Sequence, residues 1–102
     1  MKRSELSWQG QALVPVSGAT ATAVANQHYV MNNSGASTLT LPAAPRNGTV
    51  VKATFTNARI DNIIAVAGGL KIMGFAENMT VNRLKATVML EYSGATLGWV
   101  LV

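Results

Sequence analysis

One histidine, His28, and four acids, Glu5, Asp61, Glu77 and Glu91, are the chain's whole stock of imidazole and carboxylate. A glycosidase-type site needs two acids facing each other across a cleft. Glu5 falls in an irregular N-terminal segment, Asp61 in a turn, and Glu91 on the outward face of a strand pattern. Nothing in the local spacing brings Asp61 to Glu77. A lone His offers no two-histidine metal site, and zero cysteines exclude a thiolate zinc site, a disulfide framework and a cysteine nucleophile. A Ser-His-Asp triad drawn from His28 and Asp61 lacks the G-x-S-x-G elbow that presents the serine. Gly68-Gly69 leads into an apolar strand pattern rather than a helix, so it reads as a turn and not as a phosphate cradle. No catalytic residue, no metal and no cofactor is expected, and the chain is expected not to be an enzyme.

Nucleic acid and membrane are also poor fits. The net charge is +4, from eight basic residues, Lys2, Arg3, Arg46, Lys52, Arg59, Lys71, Arg83 and Lys85, of which no three are adjacent. A surface that tracks phosphates clusters its Lys and Arg. The six aromatics, Trp8, Tyr29, Phe55, Phe75, Tyr92 and Trp99, do not interleave with the charges as base-stacking platforms do. Four of them fit core or strand positions, which leaves Phe75 and Trp8 as the candidates for an exposed sugar-stacking ring. Lys2 and Arg3 mimic the start of a signal peptide, but Glu5, Gln9, Gly10, Gln11 and Pro15 interrupt the apolar region that should follow. No stretch approaches the roughly 18 apolar residues of a membrane span. The N-x-Ser/Thr triplets at Asn32, Asn47 and Asn78 are chance matches in a chain rich in Asn and Thr.

The elements that must hold these residues read as β. Ala19 to Ala25 alternates small apolar and β-branched residues, and His28 to Met31 is a β-prone run closed by Asn32-Asn33-Ser34-Gly35. Thr38-Leu39-Thr40-Leu41 alternates and stops at Pro42, and Asn47-Gly48 is a strong turn dipeptide. Thr49 to Thr56 sets Val51, Ala53 and Phe55 on one face against Lys52, Thr54 and Thr56 on the other. Ile63 to Val66 is an apolar strand, and Leu70 to Met73 is a shorter candidate. Leu84 to Tyr92 puts Leu84, Ala86, Val88, Leu90 and Tyr92 inward, and Leu97 to Val102 closes the chain. Turn signals recur every 8–12 residues and no helix beyond a turn or two is evident. The expected fold is all-β, a small antiparallel sandwich or barrel over 28–102, preceded by an extended N-terminal arm over 1–27.

Composition adds a hint about partners. The 102 residues make one domain, with 49% apolar and only 12% charged side chains, about half the usual charged share. From Leu6 to Pro45 there is no Lys, Arg, Asp or Glu. Free surfaces carry mixed charge for solubility, so this half is expected to be covered by another chain. Trp8 in an irregular segment is costly to leave in water. It either folds back on its own domain or inserts into another subunit. In the last strand Leu97, Trp99 and Leu101 fill the core, while Val100 and Val102 need a second cover, from subunit packing or from another layer of the same domain.

The order of pieces carries a resemblance. Tyr29-Val30-Met31-Asn32-Asn33-Ser34-Gly35 is followed by Thr38-Leu39-Thr40-Leu41-Pro42 and Asn47-Gly48-Thr49-Val50-Val51. Then come Asn62-Ile63-Ile64-Ala65-Val66, Gly69-Leu70-Lys71-Ile72-Met73-Gly74, and Val88-Met89-Leu90-Glu91-Tyr92-Ser93-Gly94 leading to Trp99-Val100-Leu101. Over about 28–102 this resembles the small β-domain of tailed-bacteriophage virion proteins, especially tail fibres and other projecting trimers. The resemblance implies a homotrimeric, non-enzymatic structural protein of the virion, assembled in the host cytoplasm. Those domains usually end long fibres, and this chain has no shaft, no glycine repeat and no heptads. It looks instead like a capsid decoration (cement) protein, a compact trimer whose arms reach over the capsid lattice.

On that reading the major capsid protein, or another virion protein, is the partner. Leu6, Trp8, Leu13 and Val14 are the expected arm anchors, Lys2 and Arg3 assist against an acidic capsid surface, and Val100 and Val102 pack between subunits. The alternative is a tail-fibre, spike or baseplate tip that binds a host receptor or glycan through the loops Asn57–Asn62 and Phe75–Asn82.

Overall fold

A computed structural model describes residues 12–102. They form nine short strands: β1 (Ala12–Val16), β2 (Thr20–Thr22), β3 (Gln27–Met31), β4 (Thr38–Thr40), β5 (Val50–Phe55), β6 (Asn62–Ala65), β7 (Met79–Val81), β8 (Thr87–Tyr92) and β9 (Trp99–Leu101). There is no helix among the described residues. The strands build a five-stranded sheet, ordered β1-β3-β5-β8-β9, and a four-stranded sheet, ordered β2-β4-β6-β7.

The expected antiparallel pairing is corrected: both sheets are mixed. β1-β3-β5 and β2-β4-β6 pair in parallel, and only β5-β8, β8-β9 and β6-β7 are antiparallel. The cause is the path of the chain. Each strand from β1 to β6 lies in the sheet opposite to the one before it, so neighbours within a sheet are two strands apart in sequence and run the same way. A parallel pair needs a long crossover, and here the crossover is itself a strand of the other sheet. β7, β8 and β9 then close the coil with hairpin-like pairings.

Residues 12–27, expected within the arm, carry β1, β2 and the first residue of β3, and β1 and β2 hydrogen-bond into the two sheets. Residues 1–11 lie outside the described residues.

Alternation along the strands fills the space between the sheets. The row Val14–Tyr29–Ala53–Val88 and the row Val16–Met31–Phe55 point inward from the first sheet. Leu39, Ile64 and Val81 meet them from the second. Trp99 and Phe55 are wholly buried, each burial being worth about 2–3 kcal/mol of transfer free energy. The Trp99 ring meets Tyr92 edge-on with centroids 5.5 Å apart.

The loops are held by polar pairs. Asn62 is fully buried: its Nδ2 donates to Asn57 Oδ1 (2.9 Å), and its Oδ1 accepts from Ser37 N–H (3.0 Å) and Asn57 Nδ2 (3.2 Å). Asn57 Nδ2 also donates to the carbonyls of Asn33 and Gly35. These amides clamp the β3–β4 turn to the β5–β6 loop.

Three expectations about apolar residues change. The strand expected over 84–92 begins only at Thr87, and Leu84 is exposed in the preceding turn, where Lys85 takes φ 51°. Leu97 and Leu101, expected in the core, are 48% and 46% exposed, because β9 is a three-residue strand whose ends leave the sheet interior. Leu70 to Met73 is not a strand. Ile72 and Phe75 bridge each other across a two-residue turn, Met73-Gly74.

Candidate interaction surface

The groups that could do chemistry lie apart. His28 sits on the outer face of the five-stranded sheet in the row Leu13–His28–Lys52–Met89. Its Nε2 is 2.8 Å from Thr54 Oγ1, which is 2.9 Å from Thr87 Oγ1. Burial, and then the charge of Lys52, lower the His28 pKa from its ordinary value. Asp61 accepts two 2.8 Å hydrogen bonds from Arg59, and these hold its carboxyl below the usual range. The pair is exposed and so contributes little to stability. In the β6–β7 register, Asn62 faces Val81 and Ile64 faces Met79. Asp61 and Glu77 therefore flank opposite ends of this pair, roughly 17 Å apart along the strands. Among the described residues no three His, Asp or Glu gather as a metal site would require.

Gly68 and Gly69 take φ 66° and 72° in a turn. A Cβ on Gly68 would lie 2.7 Å from the Ala43 carbonyl oxygen, so this glycine serves packing against the β4–β5 loop.

Of the expected anchors, Lys2, Arg3, Leu6 and Trp8 fall outside the described residues. Leu13 is exposed on β1, whereas Val14 turns inward and packs against the core. The ladder places Val100 on the outer face opposite Glu91, half-buried, and Val102 follows at 62% exposure with its N–H on the Met89 carbonyl. The structure does not join Leu13 to Val102: they sit at opposite edges of a five-stranded sheet.

The more concentrated apolar surface lies by β7 and β9, edge strands of the two sheets that line a common hollow. The Met73-Gly74 turn projects there. Its two central residues have φ 52° and 84°, the pattern of a type I′ turn, and Met in the first position is uncommon. Ile72 is buried and anchors the turn, while Met73 and Phe75 stand exposed on either side of Gly74.

The turn is tied to β9 by Met73 N–H on the Trp99 carbonyl (2.7 Å), Gly74 N–H on the Leu97 carbonyl (2.8 Å) and Trp99 N–H on the Lys71 carbonyl (2.8 Å). Leu101 N–H approaches Met73 Sδ at 3.5 Å. Met73, Phe75, Leu97 and Leu101 thus form one exposed group.

Two hollows flank it. One of about 380 Å³ is bounded by Met73, Phe75, Glu77 and Met79, and one of about 220 Å³ by Val81, Arg83, Val88 and Leu101. A third, of about 410 Å³, lies away from this seam, between Ile60 and Leu84 beside the Arg59–Asp61 pair. None of the three contains a nucleophile with a base, and what they offer is apolar contact edged by single charges.

Phe75 lies in an expected recognition loop, whereas Met73 was expected to end a strand over 70–73 and Leu97 to fill the core. The readable signal was Met73-Gly74, a glycine-ended dipeptide between two β-prone apolar residues. Ile60 and Leu84 carried no such signal. Asn57 and Asn62, expected to bound a recognition loop, are the buried clamp described above, so only Ala58 to Asp61 are presented to solvent. No helix among the described residues is long and apolar enough to cross a membrane. No family model and no curated protein matches the chain.

Proposed function

We propose that the chain is a structural subunit of a bacteriophage virion, a homotrimeric capsid decoration protein that works through protein–protein contact. The observation that carries this reading is the seam between β7 and β9. It exposes Met73, Phe75, Leu97 and Leu101 as one group in a domain whose opposite side, built from β1 to β4, carries no Lys, Arg, Asp or Glu. Exposed apolar groups of this kind mark interaction sites. The resemblance of 28–102 to virion β-domains supports the same reading, as does the scattering of His28, Asp61 and Glu77. The major capsid protein is the proposed lattice partner.

A tail-tip reading is favoured by one observation, the exposed Phe75 ring beside Glu77 and Asn78, a combination that suits stacking on a sugar with polar groups at its rim. Copy number in purified particles separates the two. Quantitative mass spectrometry against the major capsid protein is expected to give hundreds of copies. A handful, in multiples of three, favours the tip, and absence from particles overturns the virion reading.

A further inference from the structure

We propose that residues 1–11 of one copy fill the β7–β9 seam of a second copy, so that subunits join head to tail. The inference rests on the homo-oligomer part of the reading above. It takes the target of Leu6 and Trp8 to be a sister subunit.

Reach limits what the chain's own seam can receive. β1 and β9 are the two edges of the five-stranded sheet, and Ile72 bridges Trp99 on the far side of β9. The Met73 turn therefore lies five strand spacings from β1, about 24 Å. Trp8 precedes Ala12 by four residues, which span at most about 14 Å when fully extended, and Leu6 by six, at most about 22 Å. Measured along the sheet, the Trp8 backbone stops about 10 Å short of the turn of its own subunit and does not seat its indole in the hollow beside it, whereas Leu6 comes within reach of β9 alone. In a second copy no such limit applies.

The two surfaces also match. The donor side is β1 and β2, which are joined by three residues and start a stretch without a charged side chain as far as Pro45. Such a side loses no ionic hydration when covered. The acceptor offers the hollow of about 380 Å³ walled by Met73, Phe75 and Met79, a space that suits an indole, with Glu77 at its rim. The donor segment carries Trp8 and, further out, the Lys2-Arg3 pair.

The open edge of β1 does not offer an equivalent route by strand addition. Val16 accepts the Asn32 N–H, so by alternation Leu13 and Pro15 face outward, and proline has no N–H to give. Different surfaces on donor and acceptor make the contact heterologous, and a heterologous contact that closes gives a ring. A trimer is the smallest such ring beyond a pair.

The chain has no cysteine, which makes cross-linking clean. Full-length Gln9→Cys and full-length Thr80→Cys, which keep Trp8 and Phe75, are mixed and oxidised with diamide. A covalent heterodimer is expected at roughly ten-fold or more the yield from Gln9→Cys mixed with Ile60→Cys, reflecting the effective concentration of a docked segment. Equal yields overturn the proposal. The double variant Gln9→Cys/Thr80→Cys is expected to give covalent dimers and trimers, and a monomer closed by its own disulfide overturns it.

Native mass spectrometry of the unmodified chain supplies the third readout, independent of any variant's folding. A ring is expected, and a monomer at micromolar concentration overturns the inference. A monomer that is nevertheless present at hundreds of copies per particle sinks this contact and leaves the virion reading standing.

Discussion

His28 stands mid-strand on an outer sheet face, bonded to Thr54, with Lys52 beside it in the same row. Its folded pKa lies below the ordinary 6.5, through burial first and the Lys52 charge second. The unfolded chain then binds more protons than the folded one once the pH drops below about 6.5. Stability from this group is complete above that value, falls as the pH drops through it, and levels off below the folded pKa. His28→Gln keeps a hydrogen-bonding partner for Thr54 and cannot titrate. The urea midpoint of the wild type is expected to fall more than that of His28→Gln between about pH 7 and about pH 5. Equal slopes would show that His28 titrates alike in both states. At this scale the sequence is legible where a residue's role is set by its own strand. Val51, Ala53 and Phe55 face inward as their alternation requires, and all are fully buried. It is illegible where the partner is distant in sequence. Asn57 and Asn62 look like any turn residues, and only the folded chain shows that their amides bond to each other and to the 33–37 turn.

The elements were legible in kind and position more than in pairing. Period-2 alternation marks a strand with one buried face but does not say which sheet takes it. An apolar row aimed at the core looks the same from either side. The alternation of β1 to β6 between sheets, and with it the parallel pairing, was therefore hidden. The end of the sheet was hidden too, because β9 is held at its outer edge by the 71–75 segment rather than by a regular strand. That attachment depends on Gly98. Its φ is +74°, its carbonyl accepts from Ser93, and an added Cβ would collide with the Lys71 carbonyl, the acceptor of the Trp99 N–H. Gly69 has a similar φ of +72° with open space where its Cβ would be. Gly69→Ala is expected to cost about 1–2 kcal/mol, the left-handed penalty alone. Gly98→Ala adds a backbone clash and the loss of Trp99–Lys71 pairing, about 3 kcal/mol or more in all. Chemical denaturation of both variants checks the difference. Equal losses would mean that the 71–75 segment contributes nothing to holding β9.

For the whole molecule, the absence of charge between Leu6 and Pro45 acquires a place. β1 to β4 are neighbours in space, occupying the same side of both sheets, so a run in sequence becomes one side of the domain. The side that a solvated surface would furnish with Lys and Glu shows threonine instead, with Thr20, Thr22, Thr38 and Thr40 pointing away from the core on β2 and β4. Hydroxyls lose little on being covered if they find partners, whereas a charge moved out of water must be paired. A lysine introduced here should leave the folded monomer intact and oppose association. Leu13→Lys and Thr22→Lys, both at exposed positions, are each expected to weaken self-association ten-fold or more, about 1.4 kcal/mol, with thermal stability nearly unchanged. Ala58→Lys, exposed beside Arg59 on a side that already carries charge, is expected to change neither. Sedimentation over a concentration series measures all three. If the first two self-associate like the wild type but bind particles less, the uncharged side belongs to the capsid lattice and not to the sister subunit. The head-to-tail contact would then have to be made without it.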